Sequence, residues 1–368
     1  MPVGARACGR GWPRNWPEFQ PETLMSSAER TRRRRLLLKI LPLGAMPVPM
    51  LHAVAATGAA AATAATAADG AAGNRPIALV LPFPPGGSVD IVARQLQPGL
   101  KAALGQTVVV DNKPGAGGLI ASSTVARAKP DGSTLLMAFD THAINPFAYK
   151  QLPYDTFRDF TPISQLVRFP LVIAANPALP ASNVRELVAL AKARPDGVRY
   201  ASSGIGSLNQ LAAEALATEA GVHMLHVPYK GGGPAVQAVL SNEVDIFFSS
   251  YAAVQAHVAA RTVKVLGVTG TSRLRQLPQV QTVAEQGLKG FEAYSWIGVF
   301  GPAGLPAAIV TRIHDALVES LRQPRVVDAL AAQGFEIVGG SPADLGDLVR
   351  REHDKWHAVA RKANIQFE

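Results

Sequence analysis

The chain has 368 residues, with 36 Lys and Arg against 27 Asp and Glu, one cysteine and 48% hydrophobic side chains. Residues 1–75 hold 10 of the basic and 4 of the acidic groups, so the remainder is near +3 and carries no basic stripe with interleaved aromatics, which argues against a nucleic-acid partner. The single Cys8 lies at the extreme N-terminus, so no disulfide, thiol chemistry or cysteine metal site is available downstream.

The run Arg32 to Arg35 is followed by Leu36, Leu37, Leu38 and a long Ala-rich tract, the order of charge, apolar stretch and small residues of an export leader. Residues 1–75 are therefore read as a leader, cleaved between Gly58 and Arg75. Pro42, Pro47 and Pro49 interrupt the apolar tract, which favours a cleavable signal over a membrane anchor. The Arg34-Arg35-Leu36-Leu37-Leu38-Lys39 segment resembles a twin-arginine signal, and an ordinary Sec leader fits as well. Residues 1–24, with Trp12 and Trp16, lack both leader features, and Met25 is a candidate start.

From Ile77 onward, short apolar runs alternate with helical patterns. Ile77 to Leu81, Val108 to Val110, Thr134 to Ala138, Val198 to Ala201 and Asp245 to Phe248 read as buried strands, which predicts parallel α/β sheets. Between them, Ser182 and Glu186 open one helix. Leu208, Leu211, Ala212, Ala215 and Leu216 form the apolar face of another, just after Ser207. A last helix runs from about Ser341 to Lys362, with Leu345, Leu348, Val349 and Trp356 inward.

Two glycine-rich turns follow predicted strands and open predicted helices. In the first, Pro85, Gly86, Gly87, Ser88 and Asp90 follow Phe83; in the second, Ser202, Ser203, Gly204, Gly206 and Ser207 add three hydroxyls. Such a helix start offers unpaired N–H groups and a positive dipole end, which hold a carboxylate without a cationic side chain. A tight strand-to-helix turn explains each loop equally well, taken alone. Two such starts facing one cleft would suit a dicarboxylate. His226 and Tyr229, at the end of a strand before Gly231, either line that cleft or pack against the neighbouring loop.

Other chemistries lack their residues. There is no GxxxxGK[ST], no GxGxxG with a later acidic partner and no GxSxG elbow, so no cofactor and no catalytic set is implied. His353 and His357 stand four apart on a predicted helix without a third ligand, which favours a solvated face over a metal site.

Several ordered motifs together resemble the Bug (Bordetella uptake gene) family, the periplasmic receptors of tripartite tricarboxylate transporters. They are Pro82 to Asp90, Asn112 to Gly118, Pro130 to Gly132, Thr141 to Pro146, His226 to Gly231 and Pro302 to Gly304, within a match from about Pro76 to Glu368. The resemblance implies an α/β type II periplasmic-binding fold with two Rossmann-like lobes and a central cleft. Residues 76–173 plus 269–368 would form lobe 1 and residues 174–268 lobe 2, with crossovers near Ala174 to Asn176 and Leu266 to Thr269. It also implies a non-catalytic receptor that presents a small carboxylate ligand (a di- or tricarboxylate, amino acid or aromatic carboxylate) to the membrane subunits of such a transporter, and a monomer is the default expectation for a receptor that diffuses.

Docking on a sensor kinase ectodomain is the alternative partner, and an enzyme on the same fold a third reading. Thr141 and His142 enter the candidate site with their motif. Relative to the family pattern, Asp140 replaces a small residue, Gln210 a frequent His and Ser249 a frequent Asp. If Asp140 points into the cleft it would pair with an ammonium or other donor; the alternative is an N-cap for the helix beginning at Thr141.

Overall fold

The computed structural model describes residues 75–367. The leader, Met25 and the export signal lie outside the described residues.

The first three predicted strands form as expected. β1 (Ile77–Leu81), β2 (Val108–Asn112) and β3 (Thr134–Phe139) pair in parallel in the order β2-β1-β3. Each is followed by a helix: α1 (Ser88–Leu104), α2 (Leu119–Ala126) and α3 (Thr141–Ala148). The chain then enters β4 (Phe160–Ala175), whose first two thirds are punctuated by Pro162, Arg168 and Pro170 and whose apolar run is confined to Leu171–Ala175. Proline cannot donate to a ladder and survives in sheets at irregularities and edges. Here the register slips just after Pro162, and Pro170 is where β4 changes partners.

After α4 (Val184–Ala193) comes a second parallel set. β5 (Arg199–Ser202), α5 (Leu208–Ala220), β6 (Leu225–Pro228), α6 (Gly232–Leu240), β7 (Ile246–Ser250) and α7 (Tyr251–Ala259) order their strands β7-β5-β6. β8 (Lys264–Val268) pairs with β4, and β9 (Tyr294–Pro302) lies antiparallel between β3 and β4. α8 (Ala307–Leu321), α9 (Pro324–Ala332), a short β10 (Glu336–Ile337) against β4, and α10 (Pro342–Lys362) complete the chain.

Sheet order is thus β2-β1-β3-β9-β4-β7-β5-β6. The expectation of purely parallel sheets is corrected: the flanks are parallel, but the centre is antiparallel because β4 runs from one flank to the other without a helical crossover. β4 faces β9 from Phe160 to Pro170 and β7 from Leu171 to Ala175. At that change Thr269, fully buried, ties three strands together. Its Oγ accepts the Leu171 N–H at 2.8 Å and donates to the Ala293 carbonyl, while its own N–H donates to Leu171 O at 2.9 Å.

The expected helix starts hold with one shift. Asn183 rather than Ser182 caps α4, its Oδ1 accepting the Glu186 N–H at 2.9 Å, while the Ser182 N–H is received by the Glu186 side chain. Ser341 caps α10 in a reciprocal capping box with Asp344, and Leu345, Val349 and Trp356 face inward as predicted. Among the described residues no helix is long and apolar enough to cross a membrane.

Candidate functional site

The β1–α1 loop is built around Asp90. Its carboxylate, 4% exposed, accepts the Gly86 N–H at 3.0 Å, Arg94 Nε at 2.8 Å and Asn112 Nδ2 at 3.2 Å. Asn112 also donates to the Phe83 carbonyl at 3.0 Å. The hydrogen bond from Arg94, with those from Gly86 and Asn112, outweighs burial and holds Asp90 below the usual carboxylate range. Asp90 is therefore corrected from ligand contact to clamp: its oxygens and the Gly86 N–H are engaged within the loop. Gly87, at the cap of α1, has extended backbone and no capping side chain, and Pro85, Gly86 and Gly87 are exposed. The first-turn N–H groups of α1 thus have no capping acceptor.

The decisive contact lies across the sheet. Ser88 Oγ, in the first turn of α1, is 3.3 Å from Ser250 Oγ, at the start of α7. Residues 162 positions apart, on opposite flanks of the sheet, meet at two helix starts. Ser249 is buried on β7 beside this contact, opposite Val172 of β4. Sequence reasoning named Ser249 and passed over its neighbour Ser250, although a Ser before a helix was the available signal.

The β5–α5 loop is also braced from within, and this corrects the expectation that its hydroxyls face a ligand. Ser202 Oγ and Ser207 Oγ lie 3.0 and 2.7 Å from the Gly204 carbonyl, and Ser203 Oγ donates to Asn209 Oδ1. Gln210 accepts the Gly206 N–H at 2.8 Å, and Asn209 Nδ2 donates to the Phe248 carbonyl. A glycine-rich turn leaves its own peptide groups unpaired, and polar side chains nearby satisfy them first. Gly206, at φ +75°, is closely approached: a Cβ there would come within 2.9 Å of Ala148 at the end of α3 and 3.8 Å of the Phe367 ring. The loop, on the second flank, therefore abuts elements of the first.

The remaining candidates divide. Phe83 stays half-buried and joins an aromatic row, edge-on to Phe139 at 5.7 Å, with Phe139 tilted against Phe169 at 6.0 Å. Thr141 is half-buried near Gly118. His142 is corrected to the core: 2% exposed, it lies among Tyr154, Phe160 and Phe300, its ring nitrogens lack hydrogen-bond partners, and burial pushes it down to about 3. The Tyr229 ring packs within an apolar cluster beside β5 and β7, and burial with the nearby Glu243 pushes its phenol up to about 12.

Asp140 follows neither expected role cleanly. Its backbone is helical and its side chain makes no cap bond. At 1% exposure it receives the Ser295 hydroxyl on Oδ2, while Oδ1 is buried without a partner; desolvation, partly offset by Ser295, pushes it up to about 8.

Two cavities are separate from the Ser88–Ser250 contact, the second of them sharing Phe367 with the surroundings of Gly206. One of about 420 Å³ is bounded by Asn183, Leu266, Arg273 and Gln286; another of about 290 Å³ is bounded by Phe147, His357, Arg361 and Phe367. His357 stacks on Phe147 at 5.1 Å and His353 lies tilted against it at 5.4 Å, and among the described residues no three His, Cys, Asp or Glu side chains gather as a metal requires.

Residues 92–365 match the model of the tripartite tricarboxylate transporter family receptor, TctC. The chain is 38% identical, over 78% of its length and 85% of the relative, to a protein encoded in the tcbD-tcbE intergenic region of Pseudomonas sp. strain P51. It is 34% identical to BugT of Bordetella pertussis, over 80% and 91%. Among solved structures it resembles the periplasmic binding protein BugD, at TM-score 0.73 and 33% identity over 80% of this chain and 99% of that one. A Rhodopseudomonas palustris protein solved with adipate gives TM-score 0.76 at 33% identity, with the same coverage. The same organism's MatC, solved with malate, gives 0.72 at 31% over 77% and 98%. Fold and sequence agree, and the chain belongs to the TctC family of periplasmic solute-binding receptors.

Proposed function

We propose that this receptor captures a small carboxylate-bearing metabolite between two lobes, residues 76–173 plus 269–368 and residues 174–268, and presents it to the membrane subunits of a tripartite tricarboxylate transporter. The observation that carries the reading is the Ser88–Ser250 contact, which brings an uncapped helix start on one flank against a second helix start on the other. Donors from both sides of one cleft can then share an anion, and only a closed arrangement lets both act. Adipate in one relative and malate in another support a carboxylate ligand. Export through the leader would deliver the protein to the compartment where such ligands arrive.

Thermal unfolding of residues 76–368 against dicarboxylates including adipate and malate, tricarboxylates, amino acids and aromatic carboxylates tests the reading. A true ligand at about 100 times its Kd adds roughly 2.7 kcal/mol, which raises Tm by about 5 °C or more. No shift across the panel, with protein freed of co-purified ligand, removes carboxylates as the ligand class.

A further inference from the structure

Behind the β5–α5 loop stands His226. His226 lies on β6 opposite Tyr200 of β5, and its ring stacks on Tyr200 at 4.9 Å and 22°. Its Nε2 is 2.7 Å from Ser202 Oγ. That oxygen is also 3.0 Å from the Gly204 carbonyl and 3.2 Å from the Gly204 N–H.

A serine hydroxyl has one proton and two lone pairs. The Gly204 carbonyl can only accept, so the Ser202 proton must lie on that line; two bare oxygens at 3.0 Å would repel. The Gly204 N–H takes one lone pair. The other faces His226, so Nε2 must carry a hydrogen. Gly204 stands at φ +131°, where backbone without such bracing is free to move.

We propose that His226 is a positioning residue for the ligand loop: as the Nε2–H tautomer it orients the Ser202 hydroxyl, which closes on both the N–H and the C=O of Gly204. The ligand part of this statement rests on the proposed carboxylate site and on the sequence expectation that the β5–α5 loop contributes to it. The groups around the ring are Tyr200, whose hydroxyl donates to Glu214, and Ser202; Glu214 in turn has His223 near it. Burial alone pushes His226 down to about 4. Protonation adds a hydrogen at Nδ1 and leaves the Nε2–H donor in place, so acid does not release the clamp.

Three measurements on the 76–368 chain test this. Long-range ¹H–¹⁵N correlation spectra of the wild type should report the Nε2–H tautomer for His226; the Nδ1–H tautomer overturns the proposal. His226→Phe keeps the ring stack and removes the donor, whereas His226→Gln returns a donor near the same place. Exchange of the Gly204 amide should accelerate about tenfold in the Phe variant and recover in the Gln variant, as expected for the loss of one neutral hydrogen bond. Affinity for adipate or malate, whichever shifts Tm, should follow the same order. If neither variant changes exchange, the clamp does not exist. If exchange follows the prediction and affinity for a binding probe does not, His226 does not position the ligand loop. Failure of every panel compound defeats the carboxylate reading alone, because tautomer and exchange still judge the clamp.

Discussion

Asp140 and His142, two positions apart at the start of α3, are both buried with unpaired polar atoms, and they titrate in opposite directions. Folded Asp140 holds its proton to about pH 8, while the unfolded group ionises near 3.8. The native state therefore binds more protons across that interval, and Asp140's contribution is fully present below 3.8 and lost as pH rises towards 8. His142 stays neutral to about 3 when folded but charges near 6.5 when unfolded, so its contribution is present above 6.5 and lost as pH falls.

Between the two unfolded values the slopes cancel. Above about 6.5 only Asp140 of the two remains. Stability should fall by roughly 2 kcal/mol between pH 6.5 and 8. Asp140→Asn should flatten most of that limb in urea titrations; an unchanged slope would assign the loss elsewhere. These two residues were legible as a motif, but not as buried groups, because burial depends on β9 and α10 arriving from far along the chain.

Elements were legible where one physical signal dominated. The five apolar runs from Ile77 to Phe248 became strands because a continuous hydrophobic stretch of that length suits a buried strand, although β2, at the sheet edge, leaves Val109 exposed. β4 escaped notice because its two prolines look like breaks, although one sits at a register slip and the other at a change of partner. The glycine-rich loops were found by composition; which of their atoms remain available was not, since Ser202, Ser203, Ser207 and Asp90 act on their own loops. At the change of partner, the Leu171 N–H depends on the Thr269 hydroxyl. Thr269→Val preserves shape and leaves that buried N–H unpaired, which should lower stability by about 1–3 kcal/mol, read as a lower urea midpoint at unchanged m-value. A loss below about 0.5 kcal/mol would mean that the junction relaxes to find another acceptor.

At the scale of the molecule, the two flanks share β4 and α10 packs on α5, so movement between them would bend the chain near Pro170–Leu171 and near Thr269 and Ala293 and slide α10 on α5. Receptors that close on a ligand need such a narrow junction. The family, from ordered motifs, and the α/β class, from alternation, were readable in the sequence. The antiparallel centre was not, because strand direction is decided by pairings between distant segments.

The last described residues have a practical consequence. Phe367 lies against Gly206 and Phe147, so the segment after α10 touches the β5–α5 loop. A purification tag fused after Glu368 would press on that corner. A tagged protein should bind a panel ligand several-fold more weakly than the same chain after the tag is cut away, as calorimetry would reveal. Equal affinities would mean that the tail merely rests there. A fluorophore on the same terminus would, by the same contact, become a reporter of occupancy.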